Sequence, residues 1–217
     1  MRRMKIGVIG SGAVGTTLAD GFVKHGFETM IGSREPAKLA AWAKQRGPLA
    51  HAGTVGEAAR FGEIVVLAVK GTAAEEAVRL AGAGALAGKT VIDTTNPIAE
   101  APPEGGVLHF FTTLDASLME RLQRAAPAAR FVKAFSCVGN ALMVDPELPG
   151  GPPTMFICGD DADAKRAVGE ILALFGWEVE DLGGAVAARA IEPLCILWCI
   201  PGFLHNDWAH TLKVLRR

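Results

Sequence analysis

One stretch near the amino terminus constrains the fold of this chain more than any other. An apolar run from Lys5 to Ile9 leads directly into a G-x-G-x-x-G pattern at Gly10, Gly12 and Gly15. A helix-compatible segment follows, so that strand, glycine turn and helix succeed one another as in dinucleotide-binding domains. Gly10 permits the sharp turn, Gly12 lets a pyrophosphate approach the backbone, and Gly15 lets the helix pack close to the strand. The competing interpretation is a plain glycine turn in an α/β protein.

A second short stretch discriminates between the two nicotinamide dinucleotides. NAD-binding domains usually carry an acidic residue about 20 residues past the glycines, where it binds the ribose 2′-hydroxyl. This chain has Gly32, Ser33 and Arg34 there, with Lys38 following. Because a hydroxyl and cations suit a 2′-phosphate, we predict NADP(H), bound by Ser33, Arg34 and Lys38. The alternative is that Ser33 only caps a helix and Arg34 is a solvated surface charge.

Short apolar segments alternate with helical patterns along the chain. The apolar run at 64–69 is unbroken, as in a strand that is buried on both faces of a sheet. We therefore predict an α/β protein with a Rossmann-type, doubly wound parallel sheet and a small C-terminal α/β and helical extension. The predicted strands span residues 5–9, 28–31, 49–52, 64–69, 89–93, 130–135, 154–158 and 177–180.

We divide the chain into an NADP-binding Rossmann domain with C-terminal strands, residues 1–183, and a helical tail, residues 184–217. The tail is expected to be helical throughout, apart from breaks near Pro193 and Pro201. It would form a pocket lid or a dimer contact. The tail residues that could receive a flat apolar ring, or form a dimer seam, are Trp198, Phe203, Leu204 and Trp208. A homodimer is our expectation, because an apolar tail on a small domain is best buried by a partner.

The composition argues against several partners. The formal net charge is −1 over 217 residues, so neither a nucleic acid nor an anionic membrane surface is an expected partner. The longest apolar run, 194–204, is short for a membrane span. The basic start, Met1 to Lys5, leads into a short run that breaks into glycines, which indicates a first strand and not a signal peptide. We expect a soluble, cytoplasmic protein.

Few side chains stand out as catalytic or metal-binding. The four cysteines, at 137, 158, 195 and 199, form no C-x-x-C pair and have no histidine cluster beside them. We expect buried free thiols and no metal site. Tyrosine is absent and the histidines are scattered, so we assign no catalytic residue. His109 could line a pocket, and Lys133 could polarise a group or balance negative charge. A solvated histidine and a structural lysine are the alternatives.

With Ser33 and Arg34 in place, the chain resembles the NADPH-dependent reductases of coenzyme F420, a deazaflavin. It is also similar to the related NADP-binding domains of ferric reductases. The matching segments run from residue 5 to about 183. They are Gly-Ser-Gly-Ala-Val-Gly at 10–15, Gly-Ser-Arg at 32–34, the apolar run at 64–69, Asp-Thr-Thr-Asn-Pro at 93–97, Lys-Ala-Phe at 133–135 and Cys-Gly-Asp-Asp at 158–161.

The resemblance implies a small C-terminal portion that closes over the nicotinamide, and cofactor contacts at the carboxyl ends of strands. The cofactor-binding residues that it implies are Gly10, Ser11, Gly12, Ala13, Val14, Gly15, Ser33, Arg34, Lys38, Val69, Lys70, Thr95, Asn96 and Pro97. One departure concerns the turn after 133–135. Ser136 and Cys137 stand there in place of an expected Asn-Thr pair, which leaves the role of this turn open.

The activity that the resemblance implies is hydride transfer between NADPH and a deazaflavin. Such a transfer needs two rings stacked at short range and shielded from water, while the protein supplies position and electrostatics. The second substrate would be a small redox molecule, coenzyme F420 or a flavin. The alternatives are an NADPH-dependent flavin, ferric, imine or carbonyl reductase, and a binding module that senses NADP(H) without turnover.

Overall fold

The structure, a computed structural model, describes residues 4–217, so Met1 to Arg3 of the basic start lie outside the described residues. Its main sheet has six parallel strands in the order β3-β2-β1-β4-β5-β6. This is the strand order of a doubly wound Rossmann sheet, so the predicted fold class is confirmed. The strands are β1 Lys5–Ile9, β2 Glu28–Gly32, β3 Ala50–Gly53, β4 Ile64–Leu67, β5 Thr90–Asp93 and β6 Arg130–Lys133.

A second, smaller sheet follows the first. It pairs two parallel strands, β7 Thr154–Ile157 and β8 Glu178–Asp181. The backbone N–H of Lys133, at the end of β6, donates to the carbonyl of Cys158 just past β7, with an N···O distance of 3.0 Å. The predicted small C-terminal α/β part is therefore present and joined to the main sheet.

Helices lie between the strands and on both faces of the main sheet. Short 3-10 turns precede three of them, at Pro36–Leu39 before the second, Gly71–Ala73 before the fourth and Ala185–Ala187 before the eighth. The helices are α1 Ala13–Lys24, α2 Ala40–Arg46, α3 Val55–Phe61, α4 Ala74–Ala81, α5 Ala83–Leu86, α6 Leu118–Ala125, α7 Ala162–Leu174, α8 Ala188–Ile191 and α9 Leu194–His205. Asp161 caps α7 by accepting from the backbone N–H of Ala164, at 2.8 Å.

The core has two main layers because buried side chains alternate along each strand. On one face Phe22 of α1 packs against Phe175, with ring centroids 5.0 Å apart. The other face buries apolar residues of α4, α6 and α8, such as Val78, Leu122 and Ile191. Covering both faces with helices exposes the carboxyl ends of the strands at one edge, and this is the edge at which ligands bind in such sheets.

The predicted helix over the tail is wrong beyond His205. Asn206 has a left-handed backbone, with φ of 54°, which ends α9, and 206–217 contains no helix. Instead the N–H of Thr154 donates to the carbonyl of Leu212 at 2.9 Å, so this segment satisfies the open edge of β7. The predicted break at Pro201 is also wrong, since α9 continues through this residue. The same helix carries Trp198, which is buried.

The apolar part of the tail is longer than the run at 194–204 indicates. By length and composition, the 21 residues Ala185–His205 could cross a membrane, with a mean hydropathy of 1.4. Buried helices of soluble proteins can have the same length and composition. Glu192 lies inside this segment, is itself buried, and pairs with Lys133 of β6 at 2.9 Å, so the segment packs against the main sheet. The division at residue 183 stays a prediction.

Candidate cofactor-binding site

Two of the three fingerprint glycines stand where no side chain fits. Gly10 has φ of +120°, and a Cβ there would come within 2.1 Å of the carbonyl oxygen of Ala68. A Cβ on Gly15 would come within 2.0 Å of the carbonyl oxygen of Gly10. A Cβ on Gly12 would meet nothing within 4 Å, because this residue faces open space. The turn and the close helix packing are therefore built as predicted, and Gly12 is left facing the side from which a ligand would approach.

The first turn of α1 offers free backbone donors at the same place. The N-cap residue Gly12 has no side-chain cap, and the first turn contains no acidic residue. The first helical hydrogen bond runs from the N–H of Thr16 to the carbonyl of Gly12, at 2.9 Å. The N–H groups of the residues in between have no partner within the helix, and together with the helix dipole they favour an anion. A pyrophosphate fits this turn.

The end of β2 carries groups that suit a phosphate. The hydroxyl oxygen of Ser33 accepts from the N–H of Glu35 at 3.1 Å and lies 3.3 Å from the hydroxyl of Ser11, which donates to it. The proton of Ser33 therefore remains available for a ligand. Arg34 is exposed, whereas the ammonium of Lys38 lies 2.6 Å from the carboxylate of Glu35. Ser33 and Arg34 thus fit a 2′-phosphate, and Lys38 is already partly neutralised.

Two adjoining cavities follow the carboxyl edge of the sheet. The first, of about 490 Å³, brings together the predicted residues Gly10, Ser11, Gly12, Ser33, Arg34, Lys38, Val69 and Lys70. The second, of about 530 Å³, brings together the predicted residues Gly12, Ala13, Val14, Val69, Lys70 and Asn96. Because Gly12, Val69 and Lys70 line both cavities, the two form one cleft. We call the first cavity the adenosine half and the second the nicotinamide half, after the cofactor that the sequence predicts.

Three predicted residues lie behind the cleft. Gly15 is packed under the glycine turn, and Thr95 and Pro97 are buried without lining either cavity in the described residues 4–217. The hydroxyl of Thr95 donates to Asp93 at 2.7 Å. His109 is exposed and contributes its carbonyl to the N–H of Ala99 at 2.8 Å. These residues shape the loop that carries Asn96.

Sequence reasoning missed part of the lining. Gly71 and Thr72 line the nicotinamide half directly after Lys70, and the rule that ligands lie at strand ends could have found them. Glu76 and Leu80, one helical turn apart on α4, line the adenosine half. Which face of α4 turns toward the cleft depends on its packing against the sheet, and the local pattern did not signal it.

Asn96 is the polar residue of the nicotinamide half that most resembles a ligand-binding group. Its amide nitrogen donates to the carbonyl of Ser136 at 2.8 Å. Its amide oxygen is buried and has no hydrogen-bond partner within the described part of the chain, and the same holds for the hydroxyl of Ser136. A buried oxygen without a donor costs free energy. Ser136, the first residue of the unexpected pair, therefore contacts Asn96 directly.

The cysteines offer no nucleophile near this site. All four are free and buried, as predicted. Burial raises the pKa of Cys137 to about 12, so its thiol stays protonated at neutral pH.

The tail residues that could receive a ring or form a dimer seam divide into a buried and an exposed set. Trp198 is buried, stacks on His210 with ring centroids 5.1 Å apart, and donates through its indole N–H to the carbonyl of His210 at 2.8 Å. It is therefore unavailable as a platform for a substrate ring, and that part of the prediction is wrong. Phe203 and Leu204 are 43% and 53% exposed and remain candidates for a contact with a partner.

Comparison with known proteins gives a consistent picture. The model of a family described as NADP oxidoreductase, coenzyme F420-dependent, matches residues 5–97. A crystal structure from Arthrobacter sp. FB24, described as a candidate F420-dependent NADP-reductase, is 34% identical. The alignment covers 98% of this chain and all of that one, with a TM-score of 0.90. The strand order and the course of the whole chain are therefore shared with that protein.

Two curated relatives are longer proteins. Metalloreductase STEAP3 of Rattus norvegicus is 31% identical over 205 residues, which are 92% of this chain and 39% of that protein. The NADPH-dependent reductive aminase of Aspergillus oryzae is 25% identical over 213 residues, which are 97% of this chain and 63% of that protein. The chain thus spans less than two thirds of the length of these relatives.

Proposed function

The chain belongs to the family of coenzyme F420-dependent NADP oxidoreductases, and we propose that it transfers a hydride between NADPH and a deazaflavin of the coenzyme F420 type. The observation that carries the proposal is the continuous cleft. One half holds groups that suit a pyrophosphate and a 2′-phosphate, and the other half is large enough for a second ring system. The resemblance found in the sequence is confirmed at the level of this family.

The choice of NADPH over NADH is supported by the end of β2. Arg34 is a cation without a competing carboxylate in the described residues, and the hydroxyl of Ser33 has a proton to donate. A guanidinium can hold two phosphate oxygens at once, which a ribose hydroxyl would not use. An acidic residue, which would repel a 2′-phosphate, is absent at this strand end, Gly32 to Arg34.

The choice of a ring acceptor is supported by the side chains of the nicotinamide half. Its lining is largely apolar, and Lys70 and Glu100 are its titratable members among the described residues, both exposed. Reduction of a carbonyl or an imine needs a positioned proton donor in contact with the substrate. When bound, NADPH supplies the hydride, and the proton that balances reduction of a deazaflavin can come from solvent. Position and exclusion of water then suffice for the protein.

The test is a comparison of acceptors with one preparation of the protein. NADPH is mixed separately with coenzyme F420, FMN, FAD, a ferric salt with and without flavin, and a simple imine, and loss of the reduced-nicotinamide absorbance is followed. We expect the highest kcat/KM with F420. A matching assay in the other direction, with reduced F420 and NADP, should form NADPH and oxidised F420 in equal amounts.

The other outcomes identify the alternatives. Turnover with free flavin or with ferric ion, and none with F420, would mean that the acceptor is a flavin or ferric ion and not a deazaflavin. Turnover with the imine alone would favour an imine or carbonyl reductase. Tight binding of NADPH without turnover in any mixture would indicate a sensor of NADP(H).

We also propose that the chain is a cytoplasmic homodimer without a nucleic-acid or membrane partner. The exposed side chains of α9, among them Leu197 at 55% and Leu204 at 53%, support a contact with a second copy. Light scattering on the purified protein should give twice the chain mass, and Leu197→Glu together with Leu204→Glu should give the monomer. A monomer in the unmodified protein would contradict this proposal.

A further inference from the structure

A buried lysine lies behind the nicotinamide half of the cleft. Lys133 is the last residue of β6 and is fully buried. In the parallel pairing of the two strands it stands beside Asp93, the last residue of β5. Lysine is almost never fully buried unless it is paired, so its partners indicate what it does here.

The ammonium of Lys133 makes one hydrogen bond and two ion pairs. Its Nζ lies 2.7 Å from the carboxylate of Asp93, 2.9 Å from the carboxylate of Glu192 and 2.8 Å from the carbonyl oxygen of Thr95. Burial alone would lower the pKa of Lys133, but the two carboxylates outweigh it and hold this pKa above its ordinary value. Lys133 is therefore charged, and its ammonium lies between two carboxylates and one carbonyl.

Thr95 is fixed at all three of its polar groups. Its N–H and its hydroxyl donate to the same oxygen of Asp93, at 2.9 and 2.7 Å, while its carbonyl accepts from Lys133. The next residue, Asn96, enters the cleft. Its carbonyl lies so close to Gly71 that a Cβ on that glycine would come within 2.0 Å of it. The direction of Asn96 is thus set by Asp93 and Lys133 through Thr95, and by the close backbone of Gly71.

The second carboxylate, that of Glu192, comes from the far end of the chain. Glu192 stands between α8 and α9, and its carboxylate accepts from the N–H groups of Leu118 and Met119 in the first turn of α6, both at 3.0 Å. A negative charge is favoured at this helix start. Docking of the C-terminal segment is therefore linked through Lys133 to the loop that carries Asn96.

We propose that Lys133 is a positioning residue that fixes Thr95 and thereby places Asn96 in the nicotinamide half of the cleft, where the nicotinamide of NADPH would bind. This inference rests on the proposed function. Buried ion pairs add little net stability, and apolar replacements of similar size are often neutral or stabilising. What this network supplies is geometry, because an apolar residue at 133 would leave the carbonyl of Thr95 free to turn.

The test uses a charge-balanced variant and two ligands. In Asp93→Asn with Lys133→Met, the amide oxygen can still accept from Thr95, Glu192 keeps its two backbone donors, and the net charge of the buried cluster is unchanged. Binding is measured with NADPH, which spans the cleft, and with adenosine 2′,5′-bisphosphate, which needs only the adenosine half. We expect the Kd for NADPH to rise about tenfold and kcat with F420 to fall up to about 100-fold, as for small misplacements of positioning groups. The Kd of the bisphosphate should stay within about twofold.

The matched control is Lys89→Met. Lys89 precedes β5 at the opposite end of the sheet, and its ammonium donates to the carbonyls of Ala59 and Gly62 at 2.7 and 2.6 Å. Removing it should lower the melting temperature without changing the ratio of the two Kd values. A smaller change, Glu192→Gln, should move that ratio in the same direction as the double variant, and it decides the matter if the double variant does not fold.

An unchanged ratio of the two Kd values in the folded variant, whether or not both affinities fall, would overturn the inference. The same ratio change in Lys89→Met would also overturn it. Failure of the proposed function is seen separately, since the unmodified protein would then fail to bind NADPH or to reduce any acceptor.

Discussion

The adenosine half and the nicotinamide half of the cleft are built in different ways. The adenosine half uses segments that follow one another closely, the glycine turn after β1 and the end of β2, and its recognition groups Ser33 and Arg34 reach solvent. The nicotinamide half depends on Asn96, which is held by a buried network between β5, β6 and the C-terminal segment. The adenosine half would bind the phosphates with side chains that are free in solvent. The nicotinamide half instead has its loop held in place by buried groups that do not contact the ligand.

This difference tells where substitutions should separate binding from folding. In the adenosine half a side chain can be removed with little effect on stability, because few protein contacts depend on it. In the nicotinamide half, the hydrogen bond and ion pairs that position Asn96 also connect β5, β6 and the C-terminal segment, so a substitution there affects both binding and folding. The four predictions below test this contrast, from the largest effect to the smallest.

Gly15→Ala should have the largest effect. Its Cβ would meet the carbonyl of Gly10 at 2.0 Å, so α1 must move away from the turn. We expect a loss of about 3 kcal/mol in the free energy of unfolding, measured with urea, as for overpacked cores. The matched control is Gly12→Ala, whose Cβ would meet no protein atom within 4 Å. It should keep the stability and lose NADPH affinity, and equal stability loss in both variants would contradict the assigned roles.

Arg34→Ala should leave the stability unchanged and weaken the binding of NADPH. A hydrogen bond to a charged group is worth about 1.5–3 kcal/mol, which corresponds to about a 10- to 150-fold higher Kd. The affinity for NADH should change little, because NADH has no 2′-phosphate. Titration of both nucleotides against the unmodified protein and the variant measures the ratio. A parallel fall for NADPH and NADH would show that Arg34 does not read the 2′-phosphate.

The same contrast explains how far the sequence predicts this molecule. The glycine turn, the sheet order and the place of Ser33 and Arg34 follow from local patterns, because strand, turn and helix signals each lie within a few residues. The network around Lys133 does not, since Asp93, Thr95 and Glu192 meet it only after the sheet and the C-terminal segment have packed. In the sequence Lys133 lies within the predicted strand 130–135, and a structural role was one of the two interpretations.

The tail shows a second limit of sequence reasoning. Its apolar composition predicts helix, and this is correct as far as His205. Beyond it, Leu212 pairs with Thr154 at the edge of β7, and the local sequence gives no sign that this edge is open. From the sequence, Trp198 is a candidate to receive a flat ring or to form a dimer seam, whereas in the structure His210 and Gly139 enclose it.

Glu120→Gln tests the docking of the C-terminal segment through a second ion pair. Arg189 of α8 lies 2.7 Å from Glu120 of α6 and lowers the pKa of this carboxyl from 4.5 to about 2. Because the folded pKa lies below the unfolded one, the pair stabilises the fold above about pH 4.5, and this contribution is lost as the pH falls toward 2.

We expect Glu120→Gln to lose about 1 kcal/mol at pH 7, as for a partly exposed pair, and to equal the unmodified protein near pH 2. Glutamine can still accept from Ser117, so the capping box stays complete while the charge that pairs with Arg189 is removed. Urea unfolding at several pH values measures the difference. A difference that stays constant with pH would assign the effect to packing.

Lys38→Ala should have the smallest effect, and it sharpens the description of the adenosine half. Lys38 and Glu35 are both exposed and lie 2.6 Å apart, so the charge that Lys38 offers to a phosphate is partly neutralised. We expect the Kd for NADPH to rise only about twofold, well below the effect of Arg34→Ala, because exposed ion pairs are screened by water. The reciprocal variant Glu35→Gln frees the lysine and should tighten binding slightly. If Lys38→Ala equals Arg34→Ala, the lysine leaves Glu35 when the cofactor binds, and the 2′-phosphate is then held by both cations.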